Sequence, residues 1–204
     1  MKKKDQPDYE NPWQCLSSKE VYDNPWINVV EDQVVNPAGG KGIYGKVHFK
    51  NRAIAIIPVD QEGHTYLVGQ YRYMLNEYCW ELPMGGGPYD EEPLDCAKRE
   101  LQEETGLSAQ SWQQLLHLHI SNSVTDEEGY VFLAEQLEQG EQALEDTEDI
   151  SVKRLPLSEA LAMCLDGRIT DALTATSLFR LALMRPQWFD ETLSRTEFTS
   201  SSSS

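Results

Sequence analysis

Glu100, Glu103 and Glu104 stand at i, i+3 and i+4 of a segment that reads as a helix, with Pro93 at its first position and Gly106 just past its end. At about 100° per residue the three carboxylates share one face. Leu94, Ala97 and Leu101 recur at i, i+3 and i+7 and form a second stripe that must face the core. Like charges at helical spacing destabilise an isolated helix by roughly 0.2–0.5 kcal/mol per pair, so a solvated face has no need of them. A hard cation does: Mg2+ or Mn2+ takes oxygen ligands, and converging carboxylates supply them. The plainer alternative is an acidic, exposed helix face.

The spacing around these residues extends further. Gly85 is followed by five residues, Glu91, seven residues, and then Arg99-Glu100-Leu101-Gln102-Glu103-Glu104-Thr105-Gly106-Leu107. This resembles, at every fixed position, the signature of the Nudix hydrolases, G-x5-E-x7-R-E-U-x-E-E-x-G-U, where U is aliphatic. GQYR at 69–72, WELP at 80–83 and DGRITDALTATSL at 166–178 look like the ADP-ribose pyrophosphatase and nucleotide-sugar branch of that family. The likeness covers about residues 20–185.

The resemblance implies metal-dependent hydrolysis of a nucleoside diphosphate linked to another group. Glu100 and Glu104 match the main metal-ligating glutamates, and Glu103 a third ligand or the base. The carbonyl of Met84 matches a backbone ligand. Glu91 matches a supporting carboxylate, and Arg99 the arginine that orients the glutamates. Gly85 and Gly106 match positions where the backbone needs freedom or close approach. In this branch the general base often comes from an acidic loop after the motif. Here Glu145, Asp146, Glu148 and Asp149 are the candidates, with Glu148 first; a solvated charged loop is the alternative. Arg72 matches an arginine that contacts phosphate, and Arg52 is a second candidate. Trp26 and Tyr44 match a region from which relatives stack the base, although core packing explains either one equally well. One departure concerns the substrate. Many ADP-ribose pyrophosphatases carry Ser-Pro-Gly downstream of the motif, whereas residues 121–127 here read SNSVTDE, without proline. Asn122, Thr125 and Asp126 offer polar groups to a sugar or phosphate instead.

The elements that must position these residues follow from pattern. Residues 26–35 and 42–49 read as strands about the turn cluster NPAGGK and predict a hairpin. Residues 52–59 and 64–72 flank DQEG and predict a second. AIAII is continuously apolar, as a strand covered on both faces must be. Residues 115–120, 128–137 and 150–157 read as further strands. SEALAMCLDG reads as a helix with Ser158 as N-cap and Gly167 past its end, and DALTATSLFRLALM as another capped by Asp171. The fold class is α/β: an α/β/α Nudix sandwich with a mixed sheet, preceded by a short N-terminal β-subdomain. The expected organisation is a flexible segment at 1–18, the β-subdomain at 19–50, the Nudix domain at 51–185 and a disordered tail at 186–204.

The formal net charge is −17 over 204 residues, which repels nucleic acid and anionic membranes. It also repels an anionic substrate unless cations reverse the sign locally. Cys15, Cys79, Cys96 and Cys164 lack CxxC spacing and suit a reducing cytoplasm. The basic start MKKK has no apolar stretch after it and does not read as a leader or anchor. His117 and His119 share a strand face, which fits a half-exposed strand better than a metal site.

The expected function is Mg2+-dependent (or Mn2+-dependent) hydrolysis of the pyrophosphate in ADP-ribose or a related nucleotide sugar by a homodimer. Alternatives are dinucleoside polyphosphate or nucleoside triphosphate hydrolysis, and a non-catalytic nucleotide-sugar sensor.

Overall fold

A computed structural model describes residues 10–140 and 149–189. The chain divides into two units, the first comprising the residues up to Lys50 together with Ser121–Glu127, the second the remainder.

The first unit is a three-stranded antiparallel sheet of β1 (Gln14–Asp23), β2 (Ile27–Val35) and β3 (Lys41–Phe49), in that order. The predicted hairpin is β2–β3, in continuous register from Val35↔Lys41 to Ile27↔Phe49. Its turn is shaped by Asn36, whose side-chain oxygen accepts from the N–H groups of Ala38 and Gly40, while Gly39 supplies a φ of +85°. Asp32 is buried and neutralised by Lys46 at 2.7 Å, with Ser18 donating to its other oxygen at 2.7 Å. The segment 121–127 lies against β3. Thr125 bridges Val47 in parallel, Val47 N–H donates to the Val124 carbonyl, and Asp126 accepts from Phe49 N–H. β1 corrects the flexible segment expected to run to Ser18: Gln14, Cys15, Ser17 and Ser18 already pair with β2, which supplies the backbone partners their composition does not advertise.

The second unit holds β4 (Asn51–Val59), β5 (His64–Arg72), β6 (Glu77–Glu81), β7 (Met84–Pro88), α1 (Pro93–Thr105), β8 (Leu107–His119), β9 (Glu128–Gln139), β10 (Ser151–Pro156), α2 (Leu157–Leu165) and α3 (Ala172–Met184). The sheet path is β10-β5-β4-β9-β8, with β6 on β5 and β7 on β4. β4 runs parallel to β9 and antiparallel to β7, so the sheet is mixed. Alternate residues of β4 face opposite cores. Ile54 and Ile56 meet Cys96, Ala97 and Leu101 of α1. Ala55 and Ile57 share the other core with Leu161 of α2 and Leu178 of α3. Both faces of AIAII are therefore covered, and the layering is α/β/α.

Three expectations need correction. β4 and β5 are joined by the DQEG turn but pair only at Val59↔Thr65; they then splay, and β6 and β7 fill the gap. Ser158 is not the N-cap of α2, because the helix starts two residues earlier than that cap requires, at Leu157 with Pro156 in the N-cap position. The tail expected to be disordered from 186 begins instead with a 3₁₀ turn, Pro186–Trp188, and Phe189 is fully buried against the α2–α3 core. Among the described residues, no helix is long and apolar enough to cross a membrane.

Candidate active site

The glutamate helix carries its charges inward as well as outward. Leu101, Ala97 and Cys96 are fully buried and fix the rotation of α1. That rotation takes Glu100 to 7 % and Glu104 to 1 % exposure, while Glu103 stays half-buried. Pro93 opens the helix and Gly106 ends it in the left-handed conformation at φ 71°.

Buried carboxylates require partners. Arg99 supplies most of them. Its Nη1 donates to Glu100 Oε1 and to Glu103 Oε2, both at 2.8 Å, and its Nη2 donates to Glu91 Oε2 at 3.1 Å and to the Gly86 carbonyl at 3.4 Å. The bond to Glu91, followed by the other surrounding carboxylates, raises the Arg99 pKa even further above its ordinary value, so its charge is permanent. Glu104 takes a different partner: its Oε2 accepts the Met84 N–H at 2.9 Å. Gly85 is where the backbone passes closest to the helix, since a Cβ there would lie 2.0 Å from the Glu100 carboxyl carbon. Any side chain at this position would have to displace the Glu100 carboxylate.

These residues share one place: Met84, Gly85, Glu91, Arg99, Glu100, Glu103 and Glu104. Their donor set is all oxygen, which suits a hard divalent cation, and the Gly85 cradle leaves Glu100 space that a side chain would occupy. Among the described residues, no three acidic, His or Cys side chains are already arranged to hold a metal ion. Arg99 and the Met84 N–H presently gather the carboxylates.

Arg72 is not a loose surface arginine. Its Nε donates to Glu81 Oε1 at 2.9 Å and its Nη2 to Glu81 Oε2, a two-pronged pair, and Glu81 is only 4 % exposed. Glu81 raises the Arg72 pKa. Sequence reasoning gave Glu81 no role. The signal was present in WELP: a carboxylate between Trp80 and Leu82 on a strand must find a cation. Arg52 binds the carbonyls of Pro88, Tyr89 and Glu91 at 3.2–3.3 Å and lies 4.6 Å over the Tyr89 ring. It braces the loop into α1. Trp26 and Tyr44 belong to the first unit. Trp26 is 67 % exposed, while the Tyr44 hydroxyl donates to the Ser123 carbonyl and its ring meets Trp13 edge-on at 5.3 Å. His117 stacks on Tyr130 at 4.5 Å and pairs with Glu128, as suits a half-exposed strand. Glu145, Asp146 and Glu148 lie outside the described residues; Asp149 is exposed.

Residues 49–174 match the NUDIX domain, and residues 13–47 match the nucleoside diphosphate sugar hydrolase N-terminal domain. The chain belongs to the Nudix family. It is 33 % identical over 168 residues to an ADP-ribose pyrophosphatase of Mycobacterium tuberculosis, covering 80 % of each chain. It is 29 % identical over 170 residues to an ADP-ribose pyrophosphatase of Bacillus subtilis, covering 82 % of this chain and 91 % of that one. A GDP-mannose pyrophosphatase of Pectobacterium atrosepticum is 35 % identical over 132 residues, 61 % of this chain and 63 % of the relative. The fold matches that of a solved ADP compounds hydrolase with a TM-score of 0.79 at 19 % identity, over 89 % of this chain and 98 % of that one. This Nudix protein is a pyrophosphohydrolase.

Proposed function

We propose that this hydrolase cleaves the pyrophosphate of ADP-ribose or a closely related nucleoside diphosphate sugar, releasing a nucleoside monophosphate and a sugar phosphate, and that it requires Mg2+ or Mn2+. The observation that carries the reading is the Arg99 hub, which gathers Glu91, Glu100 and Glu103 beside the Met84–Glu104 bond. Glu100, Glu103, Glu104 and the Met84 carbonyl would hold the cation. When bound, it neutralises phosphate charge and lowers the pKa of a coordinated water. Arg99 holds the carboxylates together against their mutual repulsion. Glu81 takes Nε and Nη2 of Arg72, and Nη1 is the group assigned here to substrate phosphate. Trp26 and Tyr44 offer aromatic faces to the nucleobase. Glu148, with Glu145, Asp146 and Asp149 as its neighbours, supplies the base that takes the proton from water. We place the enzyme in the cytoplasm as a homodimer; the four free thiols and the exposed apolar residues of the first unit support this.

The test is a panel of ADP-ribose, GDP-mannose, a dinucleoside polyphosphate and a nucleoside triphosphate, with Mg2+ and with excess chelator. Release of a nucleoside monophosphate and a sugar phosphate, abolished by chelator, is expected. Equal turnover in chelator removes the cation, and preference for a triphosphate removes the substrate class. Glu148→Gln should lower kcat by at least about 10²-fold, the lower bound for a general base.

A further inference from the structure

The backbone between β6 and β7 crosses from one strand's neighbour to another's. β6 pairs with β5 up to Glu81, and β7 pairs with β4 from Met84. Leu82 and Pro83 lie between, at the ends of the two strand ladders. A buried backbone N–H left alone there would be costly. Pro83 has no N–H to satisfy, and its carbonyl accepts from Ile56 N–H at 2.9 Å. Leu82 is fully buried and does have one. Its partner comes from 92 residues along the chain: Leu82 N–H donates to Thr174 Oγ1 at 3.0 Å. Thr174 has no exposed surface, and its own position is set by Asp171, whose side chain accepts the Thr174 N–H at 2.6 Å at the start of α3. Two residues after Leu82, Met84 N–H reaches Glu104. One residue before it, Glu81 holds Arg72.

We infer that Thr174 is a positioning residue for hydrolysis: its buried hydroxyl pins the 81–84 crossing and so fixes both the Met84 amide that aims Glu104 and the Glu81 carboxylate that aims Arg72. This rests on the reading above that Glu104 and Arg72 belong to the site. A hydroxyl from the far helix does here what a neighbouring strand does elsewhere in the sheet. A displacement of about 1 Å in such a support can cost up to roughly 10²-fold in rate without touching substrate.

The experiment compares Thr174→Val, which keeps the shape and removes the acceptor, with Thr174→Ser, which keeps it. Amide hydrogen exchange at Leu82 and Met84 is read in the protein without substrate or cation, and kcat and KM are read on the best nucleotide sugar. In T174V both amides should exchange faster and kcat should fall between about 10- and 10²-fold. T174S should restore both. In a Glu104→Gln background T174V should lower kcat by a smaller factor than in the unmodified protein, because only the route through Glu81 and Arg72 is left to lose. Unchanged exchange at Met84, an unchanged kcat, or a full multiplicative loss in the E104Q background overturns the inference. Should T174V fail to fold, exchange in the unmodified protein decides. Leu82 and Met84 amides protected like those of the sheet core support the pinned crossing; rapid exchange of Leu82 refutes it. A fully active E104Q would instead remove Glu104 from the site, leaving the exchange result standing, so the two readings fail separately.

Discussion

A single methyl group tests the site at its narrowest point. Gly85→Ala would place Cβ 2.0 Å from the Glu100 carboxyl carbon and 2.1 Å from Oε2. The far end of a glutamate can swing aside, so the fold should survive with a modest loss in Tm. The swing breaks the 2.8 Å bond to Arg99 and misplaces a proposed metal ligand. Turnover should therefore fall by about 10²-fold or more, on the scale of lost electrostatic preorganisation; a near-normal rate would show that Glu100 has latitude the geometry denies. The two arginines separate in the same way. Arg99→Ala frees Glu91, Glu100 and Glu103 to repel one another, so kcat should drop. Arg72→Ala should mainly raise KM. It should also destabilise, because Glu81 is left buried and unpaired, though by less than the roughly 3–5 kcal/mol of a fully buried pair, since Arg72 itself is half-exposed. Matching kinetic profiles for the two variants would argue against the division.

Each helix earns its place by what it covers. α1 closes one face of the sheet and hides Cys96 behind the glutamates; burial, followed by the nearby Glu100 charge, pushes that thiol up to about 12. Cys164 in α2 is pushed up to about 11, again by burial first. Thiolate is the reactive form, so at pH 8 both should resist alkylation in the native protein while exposed Cys15 is modified. Mass mapping after iodoacetamide checks this; native labelling of Cys96 would mean that α1 opens from the sheet. α3 acts at longer reach. Its first turn supplies Thr174 to the crossing between β6 and β7, which joins α3 to the start of the glycine-rich strand β7.

At the level of the whole molecule, the first unit presents an edge. All ten residues of β1 are exposed, with Leu16 and Val21 among them; Ile43 on β3 and Trp26 in the turn between β1 and β2 are exposed as well. Unpaired edges and apolar faces invite association. Light scattering behind a sizing column should give twice 23.2 kDa at micromolar concentration. A single species of 23.2 kDa would retire the homodimer. The same measurement on Ile43→Glu should show a shift toward monomer if this sheet is the interface.

What could be read from the chain alone was whatever depends on local spacing. Helical spacing put Glu100, Glu103 and Glu104 on one face, and the resemblance of the Gly85–Leu107 pattern to the Nudix signature added Glu91, Arg99 and Gly85. Hairpin β2–β3 and the doubly covered β4 were legible for the same reason: turn residues and apolar runs act over a few positions. The tertiary structure decided what depends on distant partners. Glu81 gains its meaning from Arg72 across a strand pair, and Leu82 from Thr174, 92 residues away. The β4–β5 hairpin splays because β6 and β7 satisfy those backbones instead. Phe189 is ordered by a core assembled from strands and helices far upstream. Spacing specifies which groups can do the chemistry; only the packed sheet, with its buried donors to satisfy, specifies what holds them in place.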